Sequence, residues 1–327
     1  FLFFLFIDFI INLIMIKAVF HIHNEICKHS TNKLNEIVNY SLKHNYKELY
    51  FTEHPPIRTK CFYQQRRPNE EEIKKLKLKI DEVNKKYKNK LHIYFGYELE
   101  YSKPDRWYYQ ELAKDPYPEF LIFGNHLYGS IFDIKQLPAP LVMMQTKTLE
   151  QLEEFNENNY AAMSSGLFSW VAHPEFFLNS YRKWDSNSKR VCNNIIKWAQ
   201  EYKLPLAFNV NFKDWETKSS WHYPCKYFWD LVAKTNIPVI IESDSHDIHT
   251  IKVEWLDKAN KLGIKVKFDG EGDEINFLFK IEPTGLRLED ATSARFTEGM
   301  ISLQNGCFQL QWELCARAET VPRKWTA

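Results

Sequence analysis

The sequence predicts an α/β protein whose strands run parallel and close into a barrel. Between Lys17 and about Gly270, short β-rich runs alternate with helical patterns, the signature of βα units. The length of 327 residues holds one such barrel, which typically takes roughly 250 residues, with segments to spare. The third observation is positional. Seven of the eleven histidines, with Glu98 and Asp244, fall where successive apolar runs end.

In chain order, the predicted strands are KAVFHIH (17–23), ELYFTEH (48–54), LHIYFGYELE (91–100), FLIFGNH (120–126), FSWVAHP (168–174), LAFNVNF (206–212) and PVIIESD (238–244), with IKVKF (264–268) as an eighth candidate. After His29, Ser30 or Thr31 is suited to cap a helix that places Leu34, Ile37, Val38 and Leu42 on one face. Residues 70–90 put Ile73, Leu76, Ile80, Val83 and Tyr87 at helical spacing. The lysines between them read as a solvated helix face, not as a nucleic-acid patch. No internal repeat or low-complexity linker interrupts the body.

In a parallel barrel the carboxyl ends of the strands converge on one face, and active sites are built there. His21, His23, His54, Glu98, His126, His173 and Asp244 each stand at such an end, with His29 and His246 in the adjoining loops. Alternation along the first strand directs His21 and His23 to the same side. One histidine at a strand end is ordinarily a core or surface group, and H-x-H alone is a weak signal. A series over successive strands is a different matter. Imidazole and carboxylate are ligands of zinc, manganese and iron, and nine of them exceed the needs of one ion, so a multinuclear centre is expected. Cys27 lies between two of these positions. His44, His92, His222 and His249 have no such placement and read as structural or surface residues.

Composition excludes several classes. The formal net charge of +1 sets up no global field toward nucleic acid or an anionic membrane. Six cysteines (Cys27, Cys61, Cys192, Cys225, Cys307 and Cys315) show no C-x-x-C pair, which suits a reduced, cytoplasmic chain. The ends differ from the body. Residues 1–16 are strongly apolar but shorter than the ~20 residues that span a bilayer, and they include Asp8 and Asn12. Met15 is the expected native start, with a membrane-anchoring helix as the alternative. From 271 to 327 there are 2 Lys and 4 Arg, against 31 Lys and 6 Arg before. That segment is expected to be a tail of foreign composition, and no chemistry is assigned to it.

The motifs H-x-H-x5-H (His21, His23, His29), T-E-H (His54), G-Y-E (Glu98), N-H-L-Y-G-S (His126), A-H-P-E (His173) and S-D-S-H (Asp244, His246) resemble the polymerase and histidinol phosphatase (PHP) superfamily over roughly 17–270. Many relatives read G-S-x-H and T-D-H where this chain has G-N-H and T-E-H, while the ligands themselves are retained. The resemblance implies a distorted (β/α)7 TIM-like barrel holding up to three divalent ions. His21, His23, Glu98 and Asp244 would hold the first, and Glu98 would bridge to a second held by His126 and His173. His29, His54 and His246 would lie with the third. It also implies hydrolysis of a phosphate monoester by a metal-bound hydroxide associated with Glu98, Asp244 and His246, and the motif contexts look most like histidinol phosphatases.

Arg58, Arg66, Arg67, Arg182 and Lys183 lie in loops after strand ends and are candidates to clamp the phosphate, with Arg182, Lys183 and Arg58 as the choice. Asn209 is placed to orient a ligand or the substrate. The expected partner is a small phosphorylated molecule, without stable nucleic-acid binding, and without membrane unless the apolar start is native. Two alternatives differ in class. A phosphoesterase for nucleotides or nucleic-acid ends would need a basic, aromatic-lined groove; the aromatics (Tyr128, Trp184, Trp215, Trp221) are present without a matching basic stripe. A non-catalytic barrel would be marked by lost ligands, and all nine are retained.

Overall fold

The structure is a computed structural model. It describes residues 18–56, 67–126, 129–130, 132, 146–209 and 223–251, together with the backbone of five short strands between 274 and 312. Seven strands close into a barrel in the order β1-β2-β3-β4-β5-β6-β7. They are β1 (Ala18–Ile22), β2 (Glu48–Glu53), β3 (His92–Leu99), β4 (Phe120–Phe123), β5 (Trp170–Val171), β6 (Leu206–Asn209) and β7 (Val239–Ser245). Every pairing is parallel, and β1 closes the barrel against β7. The distorted α/β barrel expected from the sequence is therefore the fold. The eighth candidate strand, 264–268, lies outside the described residues.

The first six strands are shorter than predicted at their carboxyl ends, while β7 runs one residue further, to Ser245. Pairing stops at Phe123 and Val171, so His126 and His173 sit in the loops just beyond. Local backbone geometry accounts for part of this. His21, His173 and Asp244 take left-handed φ values of 63°, 33° and 41°, which non-glycine residues rarely adopt and which cluster where function holds them. At His21 the register of β1 shifts against both neighbours, so plain alternation does not deliver its side chain. A left-handed kink does.

An aromatic layer fills the barrel below these ends. Phe20 stacks on Tyr50 at 4.4 Å, Tyr50 on Tyr94 at 4.7 Å, and Phe120 on Trp170 at 5.2 Å. Such offset ring pairs add to the burial that stabilises a core. Gly96 makes room for this layer. A Cβ there would meet the Phe120 carbonyl oxygen at 2.6 Å and its ring at 2.7 Å. Along β3 the alternation then runs Tyr94, Gly96, Glu98, with Glu100 just past the strand end, from aromatic floor to polar rim.

The helices cover the outside. α1 (Leu34–Lys43) buries Ile37 and Val38, with Leu34 and Leu42 half-buried. Its N-cap is Lys33, without a side-chain cap, contrary to the expected Ser30 or Thr31. Those hydroxyls serve elsewhere: Ser30 Oγ is 3.1 Å from the His23 carbonyl and 3.2 Å from that of His246, and Thr31 Oγ1 is 3.3 Å from the latter. α2 (Glu70–Lys86) starts with an Asn69–Glu72 capping box and buries Ile73, Leu76 and Ile80. α3 (Arg106–Leu112) follows β3, and α4 (Leu149–Ser164) is capped reciprocally by Thr148 and Gln151. α5 (Leu178–Tyr181), α6 (Ser186–Tyr202, capped by Asp185 and Ser188) and α7 (Lys226–Val232) complete the set. None of the helices among the described residues is long and apolar enough to cross a membrane.

A second unit comprises Lys267–Gly285 and Ser293–Ala327. In it β8 (Glu274–Asn276), β11 (Gly299–Gln304) and β12 (Cys307–Trp312) form an antiparallel sheet, and β9 (Lys280–Glu282) pairs with β10 (Arg295–Thr297). Residues 1–17 lie outside the described residues, and with them the apolar start.

Candidate metal centre

All nine histidine and acidic candidates meet at the carboxyl end of the barrel. In one group, the Nε2 atoms of His21 and His23 lie 3.0 Å apart, with Glu98 Oε2 at 3.4 and 3.3 Å. Asp244 Oδ1 is 3.6 Å from each of those nitrogens. In a second, Glu98 Oε1 is 3.0 Å from His173 Nε2 and 3.4 Å from His126 Nε2. The third is His29, His54 and His246, whose ligand atoms lie within 4.8 Å of one another, as do those of His21, His23 and Glu98 and of Glu98, His126 and His173. Glu98 thus turns one oxygen to each of two imidazole groups, which a carboxylate can do and a single imidazole nitrogen cannot.

Hydrogen bonds from behind fix which nitrogen faces inward. His21 Nδ1 is 2.8 Å from Glu242 Oε2, and His126 Nδ1 is 3.0 Å from Glu100 Oε1. His29 Nδ1 is 2.7 Å from the Cys27 carbonyl and His246 Nδ1 is 3.1 Å from that of Asp244. With Nδ1 donating, each Nε2 presents a lone pair, the arrangement that orients imidazole toward a cation. Asn209 Nδ2 donates to Asp244 Oδ2 at 3.0 Å, so the amide orients a candidate ligand. Glu242 also accepts from the His173 backbone N–H at 2.9 Å, and Glu100 from that of His126 at 2.8 Å.

Glu100 and Glu242 were not among the sequence candidates. Their signal was present in E-x-E (Glu98, Glu100) and E-x-D (Glu242, Asp244). In the first pair the deeper Glu98 faces the imidazoles and Glu100 orients His126, whereas in the second the deeper Glu242 orients His21 and Asp244 faces the imidazoles.

The ionisation states suit a cation. Burial alone would raise the Glu98 carboxyl, but His126, His21 and His173 hold it well below the usual range. Burial likewise opposes the Asp244 carboxylate, and His21 and His246 lead the neighbours that overcome it. Burial lowers His23 to about 3 and His29 to about 4, with the His246 charge adding in each case, and it lowers His54 with help from Arg67. These three are neutral imidazoles, the form that binds metal. His21 and His126 are different: burial depresses both, yet Glu242, Glu98 and Asp244 raise His21 well above its ordinary value and Glu100 and Glu98 lift His126 to about 9, so each gives up a proton on taking a cation. His23 Nδ1, His173 Nδ1 and His246 Nε2 have no hydrogen-bond partner among the described residues. Converging lone pairs, ionised carboxylates and orphaned buried nitrogens fit divalent cations.

The basic residues divide differently. Arg182 and Lys183 are exposed, and Arg182 closes α5 as its left-handed C-cap, with its Nε donating to the Asn179 carbonyl at 3.2 Å. Arg58 and Arg66 lie outside the described residues, as do Tyr128, Trp215, Trp221 and His222. Trp184 is half-buried, its ring 5.4 Å from that of Tyr227. Arg67 is buried, and its Nη2 is 3.6 Å from Glu100 Oε1. His44 stacks on Tyr40 at 4.2 Å and His92 packs on Tyr94 at 4.4 Å, while His249 is exposed.

Glu175, two residues past His173, is buried with Oε1 accepting from Trp229 Nε1 at 2.6 Å and from the Cys225 N–H at 3.3 Å. Burial pushes its carboxyl up to about 8 from an ordinary 4.5. The folded state therefore keeps a proton that the unfolded chain releases. This contribution is fully present below pH 4.5 and is lost as pH rises through 8. Glu175→Gln, which stays neutral, is expected to flatten the fall of stability across that window and to raise Tm at higher pH. The same pH slope of Tm in variant and parent would refute this.

Comparison with known proteins gives the family and the fold. The model of the PHP domain family matches residues 20–209, and the chain belongs to that family. Two solved structures share the barrel. One, from Listeria monocytogenes, is assigned as the histidinol phosphatase HisK; it is 18% identical with a TM-score of 0.57, covering 74% of this chain and 99% of that one. The other is histidinol phosphate phosphatase (HisK) from Lactococcus lactis, complexed with zinc, L-histidinol and phosphate. It is 17% identical with a TM-score of 0.56, covering 76% of this chain and 93% of that one. No curated protein matches the sequence.

Proposed function

We propose that this chain is a metal-dependent phosphoesterase that hydrolyses a phosphate monoester, with histidinol phosphate as substrate. The observation that carries the reading is Glu98, whose two oxygens divide between the His21, His23 pair and the His126, His173 pair. His21, His23, Glu98 and Asp244 would hold one ion, Glu98, His126 and His173 a second, and His29, His54 and His246 a third. When bound, such ions supply Lewis acidity and acidify water enough for attack near neutral pH. Zinc, manganese and iron all suit this donor set.

The chain's own residues do the rest. Glu242 and Glu100 hold His21 and His126 in the inward-facing tautomer, and Asn209 keeps Asp244 turned to the pocket. The cationic pocket attracts the phosphate, and Arg67 adds a buried guanidinium on the Glu100 side. The choice of alcohol is supported by the Lactococcus lactis relative of the same fold, complexed with L-histidinol and phosphate.

Purification without chelator, elemental analysis and a phosphate-release assay test this together. The expected result is at least two bound divalent ions and release from histidinol phosphate well above that from nucleotides. Fewer than two ions and no release after added manganese or zinc would overturn the reading. Release from nucleotides alone would overturn the substrate.

A further inference from the structure

One corner of the pocket brings a tenth side chain, Cys27, to two of the nine residues above. His23 is fully buried and turns Nε2 toward His21 and Glu98, so its Nδ1 lies on the other edge of the ring, where it has no hydrogen-bond partner. The His246 ring stacks on His23 at 4.3 Å and 18°, and its Nε2 also lacks a partner. The side chain that meets both is Cys27, fully buried at the end of a short 3-10 turn, Glu25–Cys27. The ligand atoms of His23, Cys27 and His246 all lie within 4.8 Å of one another.

The loop that carries Cys27 is built, not loose. The Cys27 N–H donates to the Asn24 carbonyl at 3.1 Å, and Asn24 Nδ2 donates to the Asn32 carbonyl at 2.9 Å. The Asn24 N–H is held by the buried Glu53 carboxylate. A cysteine serving only as small apolar filling would leave the buried His23 Nδ1, which no other seat uses, without a partner. A cation between it, His246 and the sulfur supplies one.

We propose that His23, Cys27 and His246 form a thiolate-containing seat for a divalent ion, alternative to the all-imidazole seat of His29, His54 and His246. His246 belongs to both, and one nitrogen serves one ion, so the two seats compete for the same ion. Binding in the sulfur seat takes the thiol proton and the His23 Nδ1 proton to water, leaves His23 as an imidazolate shared by two ions, and forms one metal–sulfur and two metal–nitrogen bonds. Thiolate is a soft ligand, so zinc, cobalt and cadmium favour this seat, while manganese stays with the imidazoles. Cys27 thereby makes this position discriminate between metals. The inference rests on the metal-centre reading above, which its test keeps separable.

Cobalt(II) reconstitution of the full chain reads the seat directly, because thiolate-to-cobalt charge transfer absorbs in the near ultraviolet. The band is expected in the parent, absent in Cys27→Ser and retained in His54→Ala, which damages only the other seat. Zinc affinity should fall at least about tenfold in Cys27→Ser, with manganese affinity unchanged. If Cys27→Ser does not fold, X-ray absorption of the cadmium-loaded parent replaces it, with sulfur in the cadmium shell as the expected result. Bound cobalt without the band, a band unchanged in Cys27→Ser, or a cadmium shell without sulfur overturns the seat and leaves the metal centre standing. Failure to bind any metal overturns both.

Discussion

Glu98→Gln is expected to lower phosphate release by about a thousandfold, or about 4 kcal/mol of transition-state stabilisation. The substitution keeps the size of the side chain and removes its charge. It also replaces one oxygen with an NH2 group, which cannot accept or coordinate. Whichever way the amide turns, one imidazole pair loses its anionic partner, either His21 and His23 or His126 and His173. The remaining oxygen no longer joins the two groups as a carboxylate. Elemental analysis should show fewer bound ions, while circular dichroism stays near that of the parent. Activity within tenfold of the parent at saturating metal would remove Glu98 from the centre of the reading.

Gly124→Ala should cost activity about a hundredfold through position alone, since a displacement of 1 Å can be worth that much. A Cβ on Gly124 would stand 2.1 Å from Glu98 Oε1, 2.8 Å from its Cδ and 2.8 Å from His126 Cε1. Every obstacle is a side-chain end, so the backbone of the barrel has no reason to give way. What moves is Glu98 or His126, and each is held by the groups it serves. The variant is therefore expected to fold and to melt within a few degrees of the parent, yet to bind fewer ions. Full activity in Gly124→Ala would mean that the carboxylate tolerates another position.

The barrel and the nine polar positions were legible because they leave local marks. Apolar runs of strand length, a polar residue closing each, and helical spacing between them need no tertiary information. The details that make the centre work were harder to see. Asn69, Thr148 and Asp185 cap helices through contacts three residues away, whereas Ser30 and Thr31 turn to carbonyls of His23 and His246, one of them more than two hundred positions distant. No local pattern reports that. Arg67 differs from Arg182 in burial, which depends on the whole fold. Glu100 and Glu242 were accessible in principle, since each stands two residues from a candidate ligand, Glu242 within β7 and Glu100 just past the end of β3. The kink at His21 was not, because φ of 63° in a non-glycine residue is imposed by the pocket it completes.

The stacked rings beneath the centre have a consequence for traffic. Phe20, Tyr50, Tyr94, Phe120 and Trp170 make the barrel a blind alley, so reactant and products share a single doorway at the strand ends. Under the proposed reaction, the phosphate sits deeper, against the ions, and the alcohol nearer the door. The alcohol departs first, and inorganic phosphate left behind occupies the place of the next reactant. Phosphate is therefore expected to inhibit competitively, which product-inhibition kinetics would check.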